Sequence, residues 1–374
     1  MMSELGTLFA VVVLVYLVQC IVWVGPGSSV FTLSGAGDGS RKKQGFIWNA
    51  FELAGVAANP LPPLRPLVVS DWPDFRISPE GCCHIPGEGP PVAVPWEKLT
   101  VTTTESRLLC NGSPVLKAGE AQICECADML ARIRKLKRGK RQAAIENRLR
   151  RSLRESTVRR KLQVFRRRSK WLRVLANLQF FLLFVAAPLG FRLLGLKRIL
   201  WPLIAAVALL SISITTEFWA LHKAVSAKAG GTRLKSALTM LLSPVAAMRA
   251  CDIISRDLFA GYHPLAVAAA LLPREEFRVF AGEQLRACRF SEYPAAYDGQ
   301  TLERLMEQLV RRQGIVTEEL MRPRNREDNC VAYCPRCLAQ YRKQRSECAD
   351  CGHPGLAPFP PAENFASLPP IAES

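Results

Sequence analysis

The sequence predicts an α+β membrane protein, and three observations carry that reading: apolar runs of spanning length, one concentrated block of positive charge, and a C-terminal pair of C-x-x-C knuckles. In chain order the expected parts are an N-terminal anchor helix and a small β-rich cytoplasmic module. A long basic helix, a transmembrane helical hairpin, a helical segment and a cysteine-rich end follow.

Residues 8–24 (LFAVVVLVYLVQCIVWV) are apolar except for Gln19 and just long enough to cross a hydrocarbon core. Only Glu4 is charged ahead of them, and no small-residue cleavage site follows, so they read as an uncleaved anchor rather than a signal peptide. Residues 174–191 and 199–221 form a second and third run, joined by a short link around Gly195. Together, 174–221 reads as a transmembrane hairpin, with Pro188 and Pro202 near the link. Trp171, Trp201 and Trp219 stand near the span ends, as interfacial aromatics do.

Charge sets the expected orientation. Between Arg132 and Arg173 there are 19 Lys/Arg against Glu146 and Glu155, a local balance of +17 in a chain of net +18. Such a block abutting the second span stays on the cytoplasmic side. Three spans with the N-terminus outside and the C-terminus cytoplasmic follow, although Arg192, Lys197 and Arg198 in the outer link run against the rule.

Between the anchor and the basic block, residues 25–66 read as a Gly/Pro-rich linker with a short interfacial helix at Phe46–Val56. Residues 67–126 read as a small β-rich module. Leu67–Val69, Phe75–Ile77, Val92–Val94, Leu99–Thr103 and Leu108–Cys110 are its β-favouring runs, and Asn111-Gly112 marks a hairpin. VPWEKLTV, a hairpin and then a helix at Ala121 resemble bacterial pleckstrin-homology-like membrane modules. In 127–173 a polybasic helix is expected, broken at Gly139, with Ile133, Leu136, Ile145, Leu149, Leu153, Leu162 and Phe165 as an apolar stripe. That stripe could pack on the β module or enter anionic lipid, and the basic face could also meet nucleic acid. Residues 222–320 read as a helical cytoplasmic segment, with a stripe at Leu302, Leu305, Met306, Leu309 and Val310 and a polar linker from Arg322. Residues 357–374 read as a disordered tail.

The sharpest motif is Cys334-Pro335-Arg336-Cys337, ten residues, then Cys348-Ala349-Asp350-Cys351-Gly352. Two knuckles supply four thiolates for one tetrahedral zinc, whereas a redox dithiol accounts for one knuckle only. Residues 330–356 resemble the zinc-ribbon family in the CPxC opening and the CxDCG close; Leu338 stands where that family usually has glycine. The resemblance implies one structural Zn2+ on Cys334, Cys337, Cys348 and Cys351, and a binding module rather than a reaction. Cys330 and His353 read as bystanders.

Other groups carry less. Cys82-Cys83-His84 and Cys124-Glu125-Cys126 read as buried small side chains before they read as a metal or thiol site. Glu217 reads as an interfacial acid late in the third span. His222 and His263 have no partner recognisable in the sequence, and no phosphate loop, nucleophile elbow or metalloprotease helix is present. The function expected is that of a membrane-anchored adaptor or regulatory protein with an unidentified protein partner. One alternative is a membrane enzyme or transport component with a site in 234–315 and the hairpin, where Asp252, Arg256 and His263 are the candidates. Another is a membrane-tethered nucleic-acid binder.

Overall fold

The computed structural model describes residues 45–47, 68–71, 75–85, 89–104, 107–117, 120–225, 230–248, 250–259, 261–291, 293–294 and 299–359. The anchor expected at 8–24 lies outside them, as does the expected disordered tail 357–374 from residue 360 on; the first residues of that tail, Ala357–Pro358, are instead a strand. The described chain is mixed α/β and mostly helical, with small sheets. It divides into two compact units: one reaches to Leu271, and the other holds Leu272–Glu292 and Asp298–Ser374 as far as described. That boundary falls inside the stretch 222–320 that the sequence groups together. It lies just before Pro273, which opens a new helix.

Four strand groups precede the helices or close the chain. β1 (Gly45–Ile47) pairs with β2 (Val68–Asp71), so the start of the expected interfacial helix at Phe46 is extended instead. β3 (Phe75–Ile77), β4 (Gly81–His84) and β5 (Val92–Pro95) form an antiparallel sheet. A second antiparallel sheet holds β6 (Val101–Thr103), β7 (Arg107–Cys110) and β8 (Ser113–Lys117). Its hairpin turns at Asn111-Gly112 with both φ positive (47° and 80°), the conformation that Asn-Gly adopts most cheaply. The Asn111 side chain accepts hydrogen bonds from the Thr100 backbone N–H (2.7 Å) and hydroxyl (2.9 Å), tying the turn to the strand before it. Trp96 is fully buried and donates its indole N–H to the Ser78 carbonyl at 2.9 Å, so the largest core side chain leaves no unpaired polar atom.

α1 (Glu120–Lys135) closes this core with Ile123, Cys126, Leu130 and Ile133, and α2 (Arg138–Ser152) adds Ile145. The break between them lies at Leu136-Lys137, not at Gly139, which lies in the first turn of α2. Its cause is tertiary. Arg141 turns inward, donates from Nε to the Leu136 carbonyl (2.9 Å) and from Nη1 to the Pro79 carbonyl (3.1 Å), and lies over Trp96. Arg148 pairs with Glu125 at 2.7 Å, both largely shielded from solvent. Lys161 and Arg173 are half-buried, and the other 15 of the 19 basic residues of this block are exposed. The apolar stripe faces the protein: Ile133, Ile145, Leu153, Leu162 and Phe165 are buried, and Leu136 and Leu149 half-buried.

A second break at Leu153-Arg154 precedes α3 (Glu155–Phe181). α3 continues through one π-helical stretch (Leu182–Ala186) into α4 (Ala187–Leu194). The wider turn precedes Pro188, whose ring and missing N–H are poorly served by regular α geometry. Gly195, with φ of 78°, ends the helix, and α5 (Leu196–Val225) returns alongside. Phe165, Ser169, Leu172, Ala176 and Gln179 are buried on α3. Ser211, Ile214, Thr215, Phe218, Leu221, His222 and Val225 are buried on α5. The α3 set recurs at alternating steps of four and three, and Ser211, Thr215, Phe218, His222 and Val225 repeat the same series on α5, the spacing of a packed antiparallel helix seam. These two helical stretches are long and apolar enough to cross a membrane.

α6 (Gly230–Leu242), α7 (Pro244–Ala247), α8 (Ala250–Asp257) and α9 (Pro264–Leu271) complete the first unit. The second unit begins with α10 (Arg274–Arg289) and α11 (Gln300–Arg312), joined across Arg289 by ion pairs to Glu303 (2.6 Å) and Glu307 (2.8 Å). The expected stripe on α11 is buried as a whole. The stretch from Arg322 is not a loose linker: Arg324 pairs with Glu275, and the Asn325 carbonyl accepts from Gln340 at 2.9 Å.

Gly81 gives a direct test of the first sheet. A Cβ there would lie 2.1 Å from the Val94 carbonyl oxygen, a clash with backbone that no rotamer relieves. Gly81→Ala is expected to destabilise the module by about 3 kcal/mol, the upper range for overpacking. By contrast Gly139→Ala, which meets nothing within 4 Å, is expected to be neutral or mildly stabilising. Thermal melts of the two detergent-solubilised variants should separate accordingly.

Candidate metal centre

Each C-x-x-C pair is built as a knuckle, and the two knuckles share one hydrogen-bond pattern. The Leu338 N–H donates to the Cys334 carbonyl and the Gly352 N–H to the Cys348 carbonyl, both at 2.9 Å. One step further on, the Cys334 N–H donates to the Ala339 carbonyl and the Cys348 N–H to that of His353, again at 2.9 Å. Closing such a turn requires a left-handed residue after the second cysteine. Leu338 (φ 64°) and Gly352 (φ 65°) both adopt it. Glycine does so freely, whereas leucine is strained there by roughly 1–2 kcal/mol. Leu338 is held in place by packing against Cys330, Tyr333 and Phe359.

A three-stranded sheet, ordered β10-β9-β11, brings the knuckles face to face. Its strands are β9 (Ala332–Tyr333), β10 (Gln340–Tyr341) and β11 (Ala357–Pro358). The four sulfurs lie within 4.8 Å of one another, with Cys334 and Cys351 at 3.6 Å and Cys337 and Cys348 at 3.5 Å. A tetrahedral ion with bonds of about 2.3 Å to sulfur sets its ligands roughly 3.8 Å apart. The gathered thiols match that spacing, so the cluster could hold a metal ion such as zinc. The small core around it, Ala332, Leu356 and Tyr341, is too slight to hold so short a sheet by burial alone.

The surroundings of the four sulfurs differ. The Tyr341 hydroxyl donates to Asp350 Oδ2 at 2.6 Å and lies within hydrogen-bond reach of Cys348 Sγ at 3.0 Å. Burial opposes ionisation of Cys348. Hydrogen bonds from Tyr341 and from the backbone N–H groups of Cys351 and Asp350 outweigh it, and the thiol is brought down to about 6. Burial pushes the Cys337 and Cys351 thiols up. The half-buried Arg286 guanidinium of α10 donates to the Leu320 carbonyl at 2.7 Å and lies close enough to Cys337 for each to feel the other's charge. A cation there suits a centre that four thiolates make negative.

The remaining sequence candidates scatter. Cys330 is buried against Tyr333 and Phe359, and His353 stacks edge-on against Phe290 at 4.7 Å, with its carbonyl committed to the knuckle. Cys82 and Cys126 share the core of the β module with Cys110, a residue the sequence reading did not group with them. The Cys82 thiol is held far above its usual range by hydrogen bonding to Cys110 and by burial. Cys83 and His84 are buried in β4, and Cys124 is exposed on α1. Among the described residues only the four knuckle cysteines form a metal-capable group. His263 is buried and held down to about 3, first by burial and then by the Arg76 charge, so it stays neutral at ordinary pH. The side chains of Asp252 and Arg256 lie outside the described residues. Glu217 is exposed and faces away from the helix seam.

Compared with protein-family models, with curated proteins and with solved structures, the chain matches none.

Metal binding should therefore displace protons from at least Cys337 and Cys351, whose raised thiols are protonated near neutrality. Since the unbound site holds more protons than the bound one, affinity must rise with pH. Competition with a chromophoric chelator should show zinc binding tightening steadily from about pH 6 to about pH 8. A pH-independent affinity would contradict four-thiolate ligation.

Proposed function

We propose that this chain is a membrane-anchored adaptor or regulatory protein whose C-terminal zinc ribbon, holding one structural Zn2+ on Cys334, Cys337, Cys348 and Cys351, is its protein-binding module. The observation that carries the reading is the closed character of the cysteine centre. Four protein sulfurs fill a tetrahedral shell and leave no position for water or substrate, so the centre organises a surface rather than a reaction. Of the candidate enzymatic residues, His263 is buried and neutral.

Membrane attachment is proposed from the outward faces of the hairpin. Trp171 is 70% exposed, Trp201 74% and Leu209 67%, and Val174, Leu178, Phe181, Val185 and Leu189 are exposed between them. Exposed apolar surface of this extent needs a cover, and a hydrocarbon phase supplies one along the whole length of two long helices. The orientation proposed puts the basic block on the cytoplasmic side. Residues 8–24 are proposed as a third span with the N-terminus outside. Contact with anionic lipid is assigned to the exposed Arg166, Arg167, Arg168 and Lys170 beside Trp171, since the apolar stripe of the basic helices is already buried.

Two measurements test this. Alkaline carbonate washing should leave both the wild-type chain and Cys351→Ser in the membrane fraction. Proteins that co-purify with the wild type in mild detergent should be lost from Cys351→Ser. Retention of the same partners would refute the ribbon as the binding module, and release by carbonate would refute the spans. For the lipid contact, each lysine or arginine near an anionic surface contributes about 1 kcal/mol, or roughly fivefold in local partition. Replacing Arg166, Arg167 and Arg168 by Gln should sharply reduce the anionic lipid that co-purifies with the chain, while leaving total bound lipid unchanged.

A further inference from the structure

The stretch after α5 is too short to cross a bilayer, yet it packs beside the hairpin at a depth where only spanning helices are expected. α6 starts near the end of α5, where the Arg233 side chain, only 7% exposed, donates to His222 Nδ1 at 3.2 Å and lies over Trp219. It runs antiparallel to α5. Ten residues later, at Ser243-Pro244, the chain lies against Gln179 and Ser211. Those two residues stand eight positions from Trp171 and Trp219 along their helices, about 12 Å further into the apolar hairpin at 1.5 Å per residue. Val245 and Met248 go deeper still, packing on Phe180, Leu183 and Phe184. α8 then packs back along α3 and α5, and by His263 the chain is at the level of Ser152, whose carbonyl accepts the His263 N–H at 2.9 Å.

Two further observations concern what surrounds α6. Arg233, Ala237 and Met240 face the protein, whereas Leu234, Leu238, Leu241 and Leu242 line the opposite face and are exposed, Leu242 at 85%. This leucine face adjoins the exposed apolar surface of the hairpin. The turn at its deep end is also closed in hydrogen bonds. The Ser243 N–H donates to the Thr239 carbonyl (2.9 Å), and Ser243 Oγ accepts from the Ala246 N–H (3.3 Å). The Ser243 carbonyl accepts from the Ala247 N–H (3.1 Å), and Pro244 has no N–H to satisfy. The Pro244 carbonyl accepts from Gln179 Nε2 at 2.9 Å, and the same amide nitrogen reaches Ser211 Oγ at 3.1 Å. Water would make such provision unnecessary. Hydrocarbon makes it obligatory, because a backbone group there has no other partner.

From these observations we infer that residues 230–248 form a re-entrant element. It enters the bilayer from the side of the basic block, turns back at Ser243-Pro244 about midway, and presents its leucine face to lipid acyl chains. The inference rests on the membrane-spanning reading of the hairpin. At 13 residues, α6 is about 20 Å long against a hydrocarbon core of roughly 30 Å, so it penetrates without crossing.

The test uses the full-length chain in bilayer nanodiscs, with the photo-crosslinking amino acid p-benzoylphenylalanine placed at Leu238 or at Leu242. Both positions are exposed, so the probe does not disturb a core. Leu209 on α5 reports the spanning hairpin, and Arg304 on α11 reports background. Acyl-chain adducts at Leu238 and Leu242, as at Leu209 and unlike Arg304, are expected. Adducts at Leu209 with none at either α6 position would overturn the re-entrant element and leave the spans standing. No adduct at Leu209 would overturn both.

Discussion

The seam between α3 and α5 is the contact on which the first unit depends. Along it the two helices bring small and medium side chains, Ser169, Ala176 and Ser211, against large ones, Phe165, Leu172 and Phe218. Alternation of this kind lets two backbones approach without strain, and in a lipid setting packing of this kind rather than hydrophobic expulsion holds helices together. Among the described residues, the rest of the unit is built onto those helices. The β module hangs from the N-terminal extension of α3 through α1 and α2. α6 to α9 lie along the flanks of the pair. The seam stops near Gln179 and Ser211, and beyond that level the two helices bury little of one another. Their outer halves meet at Gly190, where a Cβ would press on the Ile199 side chain at 2.0 Å.

Polar groups within this unit are placed where geometry is to be specified rather than where stability is to be gained. Arg141 fixes the angle between α1 and α2, because its guanidinium must reach the carbonyl that ends one helix and the β module that flanks the other. The Arg148–Glu125 pair locks α2 onto α1 and leaves a hydrogen bond to spare for the Gly261 carbonyl at 3.4 Å. Gly261, with φ of 81°, could carry no side chain there, since a Cβ would sit 2.9 Å from Glu125. Partly buried charges of this type cost desolvation, and their return is a single arrangement in place of several.

How much of this was legible in the sequence varied with the range of the interaction responsible. The cysteine knuckles were readable because each is a local turn whose ligands are three positions apart, and only the meeting of the two had to be supplied by folding. The hairpin was readable by composition, since a long apolar run needs no knowledge of its neighbours. The helix break was misplaced at Gly139, because the true break at Leu136 is set by Arg141 reaching back and by the β module beyond it. β4, Gly-Cys-Cys-His, escaped notice for want of β-branched residues. What makes it a strand is the close backbone approach that Gly81 permits. The stripe on the basic helices was seen correctly as a stripe, but periodicity gives a face and never its partner. α6 falls within the stretch read as a helical cytoplasmic segment for a similar reason: thirteen residues of mixed leucine and small side chains do not say what their apolar face meets.

The absence of any regular break between Glu155 and Phe181 has a mechanical consequence. α3 packs against α9, where Arg159 donates to the Ala269 carbonyl at 2.6 Å, and continues into the hairpin as part of the seam, so one rod serves both. The two joints above it are fastened, the first by Arg141 on the Leu136 carbonyl and the second by His263 on the Ser152 carbonyl. Turning the β module against the hairpin would require breaking one of these two hydrogen-bonded joints.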